Sequence, residues 1–382
     1  MRTLIVLLSL LSLLSLFLAI PLYAADVLVA PGDPIPGNVE GIVTLLPGQH
    51  TTSTTVEITE SMTLTAKPGA VWTSSADPAI AVHANDVTIS NLVLVSANPT
   101  ATAIVSGSPV TLVKPSHRVS VISNKIEGFA SGVFNVYGDW FVVKNNEIIG
   151  TDVALDPLWN DTVGVLNTMG SNAIIEKNLI SGFQDGIFGS GHHGRIEGNR
   201  IRRTCLGITF CSWFYPVAGE PDFYPDLVPV NAPTYWNIHN NTITDGIRIP
   251  GYYFDLPPWG IEIQNDSHHN LVSNNRINGY AVNIILLGEA SPWVDNLGDI
   301  ALRPAAHENI IIARPEEVVE NWGNDPVPTY GNVIVGSGSM DAQERALYND
   351  VRLNAGPPKG KAAPPIQSVK TQSTTWGDIK LQ

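Results

Sequence analysis

The chain has 382 residues and carries 21 Lys+Arg against 35 Asp+Glu, a formal net charge of −14. An acidic surface of that size argues against nucleic acid and anionic membranes as partners. It also disfavours polyanionic glycans unless metal ions intervene. Arg2 precedes an apolar run over 4–20, closed by Pro21 and Leu22-Tyr23-Ala24. This pattern predicts a secretory signal peptide over 1–24, cut after Ala24, and hence a secreted protein, extracellular or periplasmic. A run of that length leaves an uncleaved membrane anchor as the alternative. No Cys directly follows the leader, which argues against a lipoprotein anchor, and no other apolar stretch is long enough to span a bilayer.

Beyond the leader one short phrase recurs, aliphatic-x-x-Asn-x-Ile. It reads VISNKI at 121–126, VKNNEI at 143–148, IEKNLI at 175–180, IEGNRI at 196–201, IHNNTI at 238–243 and VSNNRI at 272–277. The step from Asn124 to Asn146 is 22 positions and from Asn178 to Asn199 is 21; the longer steps correspond to one unit plus an insertion. A period in this range predicts a stacked solenoid, each repeat burying its apolar face only against its neighbours. Apolar residues alternate within a unit, as in Val119, Val121 and Ile126. The segments are short and β-branched, which predicts strands rather than helices. The Asn is placed at a bend, where stacked copies about 4.8 Å apart can bond one another. Gly132-Val133, Gly186-Ile187 and Gly207-Ile208 follow eight residues after their Asn. Gly is expected there to supply a backbone conformation barred to other residues.

On these residues the chain resembles the right-handed parallel β-helix repeat family, with pectin-lyase-like architecture, over roughly 40–336. The opening GIVTLLPGQHTTSTTVEITESMTLTA at 41–66 is similar to the family's first coils, with Leu92 in the Asn place. Asn309-Ile310-Ile311 and Asn332-Val333-Ile334 read as degenerate later units. The resemblance implies an all-β, single-stranded right-handed parallel β-helix (a solenoid) over 25–338, with long loop insertions. A C-terminal cap and flexible tail are expected over 339–382, including a short helix at 339–351 and a Pro, Gly and Lys-rich linker at 355–365. The family includes lyases, hydrolases, epimerases, adhesins and proteins with no known reaction, so the fold leaves the activity open.

Counting along the coils locates the insertions. Asn to Gly is 8 positions in the compact units, but 18 from Asn146 to Gly164 and 19 from Asn241 to Gly260. Insertions therefore fall at 151–163 and 245–259, with others at 211–233 and 288–308. They flank the strands that begin at the Gly, making those strands the floor of a groove with loop walls. With Val133, Val165, Ile187, Ile208, Ile261 and Val282 inward, period 2 turns Phe134, Leu166, Phe188, Thr209, Glu262 and Asn283 outward. The next outward row is Val136, Thr168, Ser190, Cys211, Gln264 and Ile285.

Aromatic residues crowd the insertions, among them Trp159, Trp213, Tyr252, Tyr253, Trp259 and Trp293. Rings of this kind stack on sugar faces, although they also seal loops onto a scaffold. Phe134, Phe188, Trp213, Tyr252, Tyr253, Trp259, Gln264 and Asn283 are the expected substrate-binding residues. Glycoside hydrolysis needs two carboxyl groups about 5–10 Å apart. Glu262 is the best anchored, with Asp255 among its wall partners. Uronate elimination needs a base, for which Arg248 stands beside Tyr252 and Tyr253. Loop carboxylates make a Ca2+ site feasible without a diagnostic spacing.

The sequence thus points to a monomeric, polysaccharide-directed lyase or glycoside hydrolase, with catalytic candidates Glu262, Arg248 and Asp255. The alternative is a non-catalytic surface or glycan-binding protein. His117, His192 and His268 each stand seven residues before the Asn of their unit. That column suggests a metal-handling protein only if its members converge; two or three coils separate them, so no metal ligand is assigned. Cys205 and Cys211 are separated by six residues of expected extension, roughly 18–20 Å. A disulfide needs Cα atoms within about 7 Å, so free thiols are expected.

Overall fold

The computed structural model describes residues 25–107, 115–151, 162–211, 232–249, 257–264, 267–287, 293–294, 300–301, 306–314, 317, 319–322 and 332–335. The leader, the expected cap helix at 339–351 and most of the insertions lie outside these residues. Among the described residues there are strands and turns and no helix. A 12-stranded parallel sheet runs from Ala25–Val29 to Val333–Val335, one strand per coil. A second parallel ladder runs from Gly48–Thr52 to Arg276–Asn278. A third runs from Val56–Ile58 to Val319–Trp322. Leu179–Gly189 and Arg200–Phe210 are long strands that pass through the corner and belong to both of the last two ladders.

Identical spacing in each coil stacks like on like. Val143, Ile175, Ile196 and Ile238 form one interior column. Ile148, Ile180, Ile201 and Ile243 form the second. Val165, Ile187, Ile208 and Ile261 form the third. All are fully buried or nearly so. Each such side chain contributes about 1.5–3 kcal/mol by leaving water. β-Branched residues suit these columns because their shape packs on a pleated surface.

The bend between the first and second ladders is held by asparagine. Asn124, Asn146, Asn178, Asn199, Asn241 and Asn275 form a continuous buried column. In each step one side-chain oxygen accepts from both the backbone N–H and the side-chain amide of the Asn below. The pair Asn146 to Asn178 shows this at 2.9 and 3.0 Å. The same amide also donates across the bend, as from Asn178 Nδ2 to the carbonyl of Val143 at 2.9 Å. The left-handed residue at the bend is the one before the ladder Asn: Ser123, Asn145, Lys177, Gly198, Asn240 and Asn274, with φ between 52° and 65°. Leu92 opens the column, its N–H donating to Asn124 Oδ1.

Two expectations change. The glycines at 132, 186 and 207 do not have left-handed φ. They form a column with Gly164 and Gly260 in which a side chain has no room. A Cβ on Gly186 would come within 2.5 Å of the Gly207 carbonyl oxygen and of the Ile201 side chain. Close approach between coils, not φ, excludes other residues there. Asn309 and Asn332 are not degenerate copies of the first ladder. With Asn270 they build a second one at a different corner, ahead of the strand rather than after it. Ile310–Ile312 and Val333–Val335 accordingly extend the 12-stranded sheet.

Replacing Asn178 by Ala removes the acceptor of two Asn146 donors, the side-chain donor to the Val143 carbonyl and one of the two donors to Asn199 Oδ1, all buried. Asn178→Ala is expected to lower stability by about 3–5 kcal/mol, measured as the shift in urea unfolding midpoint with unchanged m-value.

Candidate functional site

The outer face of the third ladder carries the expected floor. Its central column is Phe134, Leu166, Phe188, Thr209, Glu262 and Ile285, each in register with the next. Asn283 does not stand beside Glu262 as expected. It pairs at the level of Gly260, its carbonyl oxygen lying over that glycine, and its amide donates to the Ile277 carbonyl at 2.9 Å. The coil at 276–287 has no glycine at the seam, so a register counted from glycine slips there by two residues.

The face is covered with apolar side chains rather than open. Leu166, Phe188, Val163 and Cys211 form one buried cluster, with half-buried Phe134 at its edge. Cys205, Leu206, Ile249, Trp259, Val282 and Ile285 form a second. Phe188 is 1% exposed and Trp259 2%. As they stand, neither presents a ring face for a sugar, contrary to expectation. Both thiols are free and buried.

Glu262 sits in this layer at 1% exposure, flanked along the column by Thr209 and Ile285. Neither of its carboxyl oxygens has a hydrogen-bond partner among the described residues, and the Thr209 hydroxyl has none either. Burial raises the Glu262 pKa to about 8, so the group is neutral through most of the physiological range. The Cys205 thiol is pushed up to about 12 by burial first and then by the charges of Asp185 and Glu262, against a backbone hydrogen bond at Ile249. Asp185, itself 1% exposed, thus shares this electrostatic neighbourhood.

Arg248 is exposed, whereas its neighbours Ile247 and Ile249 pack on the cluster that holds Trp259 and Ile285. The structure therefore separates Arg248 and Glu262 between the solvent side and the buried side. Gln264 is half-buried in the next outward row, its N–H donating to the Phe210 carbonyl. Asp255, Trp213, Tyr252 and Tyr253 lie outside the described residues.

A second concentration of functional groups stands at another corner. His192, Thr234, His268 and His307 occupy one position in successive coils. The following residues, His193, Tyr235, His269 and Glu308, all have left-handed φ between 51° and 58°. Asp86, Arg118, Trp140 and Asn172 have the same conformation in earlier coils, so it belongs to the corner and not to a site. His268 is lowered to about 4 by burial and by its three imidazole neighbours, His307, His269 and His192. His192 and His268, with one coil between them, stand out in the sequence, whereas His307 and Glu308 do not. Their signal is the parallel between His268-His269-Asn270 and His307-Glu308-Asn309, which belongs to the second Asn ladder and not to the aliphatic-x-x-Asn-x-Ile phrase.

One parallel strand per coil on three faces, turned by Asn-ladder bends around a single interior, decides the architecture. The chain is a right-handed parallel β-helix. The model of the family described as periplasmic copper-binding protein (NosD) matches residues 48–214. No curated protein matches the chain. Among solved structures, a mannuronic acid specific polysaccharide family 6 lyase from human gut microbiota is similar at 12% identity and TM-score 0.43, covering 87% of this chain and 96% of that one. An alginate lyase from a Paenibacillus species is similar at 12% identity and TM-score 0.37, covering 83% and 99%. The ORF18 protein of Geobacillus virus E2 is similar at 11% identity and TM-score 0.37, covering 78% of this chain and 53% of that one. The β-helix chain thus spans about half the length of the viral protein.

The buried Glu262 sets a pH dependence of stability. Between its ordinary pKa of 4.5 and about 8, the folded chain keeps this proton and the unfolded chain loses it. This group's contribution to stability therefore falls as pH rises through that window, by about 1.4 kcal/mol per pH unit at most. Glu262→Gln removes the effect. Relative to the parent, the variant is expected to gain on the order of 3 kcal/mol between pH 5 and pH 8 in urea unfolding, other titrations cancelling in the comparison.

Proposed function

We propose that this is an exported β-helix protein that acts on a polysaccharide at the outer face of the third ladder, with Glu262 as proton donor. The observation that carries the proposal is the Glu262 carboxyl: outward on its strand, without a hydrogen-bond partner among the described residues, and neutral up to about pH 8. A carboxylic acid that keeps its proton at neutral pH is what protonation of a glycosidic oxygen requires. An unpaired buried carboxyl is otherwise a cost to the fold. Asp185 supports the reading as a second carboxyl on the same face, and Asp255 is the wall candidate for the opposing role. The acid at 1% exposure reacts only when the apolar layer over it opens to substrate.

A second reading, a glycan-binding protein without catalysis, is favoured by the burial of Phe188 and Trp259, which leaves the floor closed. Elimination with Arg248 as base is the third, resting on the exposure of that residue beside the groove wall.

The test uses the chain from Ala25 onward with a panel of neutral and uronate-containing polysaccharides, with and without Ca2+. Glycosidic hydrolysis appears as new reducing ends without absorbance from unsaturated uronate. The expected result is this signal, lost in Glu262→Gln, kept in Arg248→Ala and falling above about pH 8 as the acid loses its proton. Unsaturated uronate that disappears in Arg248→Ala replaces the proposal with elimination. Retention on a glycan affinity gel with neither signal replaces it with the binding protein.

A further inference from the structure

The histidine corner lies outside the groove and has no part in the chemistry above. At its C-terminal end, His268 and His307 sit in register on adjacent coils with their rings 4.7 Å apart. Their successors His269 and Glu308 are likewise neighbours, the His269 N–H donating to the Glu308 carbonyl. One carboxyl oxygen of Glu308 lies 3.6 Å from His269 Nε2 and 3.9 Å from His307 Nε2. The Nδ1 atoms of His268 and His269 are 2.8 Å apart, a hydrogen bond between the rings.

We propose that His269, His307 and Glu308 bind one transition-metal ion of the class that prefers imidazole, Zn2+ or Cu2+, with His268 as the positioning residue. Ligand atoms in a tetrahedral zinc site lie about 3.3 Å apart, given bonds of about 2.0–2.1 Å. The two nitrogens stand only slightly farther than that from the shared oxygen. No three donors of the described residues surround one point as they stand. Tetrahedral spacing from the shared oxygen asks His269 Nε2 to approach by ~0.3 Å and His307 Nε2 by ~0.6 Å, a shift that ring rotation about the soft terminal torsion supplies.

His268 fixes the chemistry of its neighbour. When His269 donates Nδ1–H to His268 Nδ1, its Nε2 keeps the lone pair that a metal needs. The corner meets solvent through Glu308, whose side chain is 42% exposed, with His269 at 20% and His307 at 10% behind it. Thiolate ligation is not available there, since both thiols are buried on the other face. The residues matched by the family described as copper-binding end at 214, so this corner is proposed on its own geometry.

The experiment is calorimetric titration of chelator-treated chain, residues 25–382, with Zn2+ and with Cu2+, followed by electron paramagnetic resonance of the Cu2+ form. One ion per chain and nitrogen hyperfine structure from two imidazoles are expected. His269→Ala and His307→Ala should each weaken binding at least tenfold, with His192→Ala, two coils before His268 in the column, unchanged. His268→Ala should weaken binding less while leaving two nitrogens in the spectrum. Absence of stoichiometric binding, or an oxygen-only Cu2+ spectrum in the unaltered chain, overturns the proposal whether or not the variants fold. Equal affinity in the folded His269→Ala/His307→Ala double variant also overturns it.

Discussion

Everything in this molecule depends on coils repeating at one strand spacing, about 4.8 Å. That spacing is imposed by backbone hydrogen bonds along three parallel ladders, and every side chain must accept it. Inside, aliphatic residues stack on their counterparts. At one bend, asparagine amides link coil to coil while also bonding the backbone across the turn. The column is cooperative in a simple sense: each Asn is donor to one neighbour and acceptor from the other. Removing one therefore strips two donors of one neighbour of their acceptor and takes one of two donors from the oxygen of the other.

The same rule governs the surface. Thr209, Glu262 and Ile285 are neighbours because three coils place them at one level, although sequence separates them widely. The apolar layer over that face isolates a carboxyl that the interior columns do not need. At the histidine corner, the coil rule brings His307 against His268 and Glu308 against His269. Two chemically distinct surfaces thus come from one scaffold without any change in its core.

The fold was legible because periodicity is a property of the chain itself. Asn124, Asn146, Asn178, Asn199, Asn241 and Asn275 announce the ladder, and the structure joins them in that order. The site was legible only in part. The outward turn of Glu262 followed from alternation, but its burial did not, because a period of two says nothing about what covers a face. Asn283 was misplaced because the seam glycine that anchored the count is absent from its coil. Gly186 was recognised as obligatory for the wrong reason: spacing marks a corner, whereas only coordinates show which atom comes close. His307 was missed because its Asn belongs to a second ladder whose phrase differs from the first.

The corner that runs from Asp86 through Arg118, Trp140, Asn172, His193 and Tyr235 to His269 and Glu308 is held in one backbone conformation whatever the side chain. Its pitch is therefore independent of its content. An acid–base pair occupies one stretch, with Arg118 against Asp86 at 2.6 Å; stacked rings occupy another, His193 on Tyr235 at 5.2 Å. Such a rail acts as a fixed ruler. Substitutions along it change which groups are displayed and leave their spacing untouched, so a ligand with repeating groups engages several of them only if its own period is commensurate with the coil.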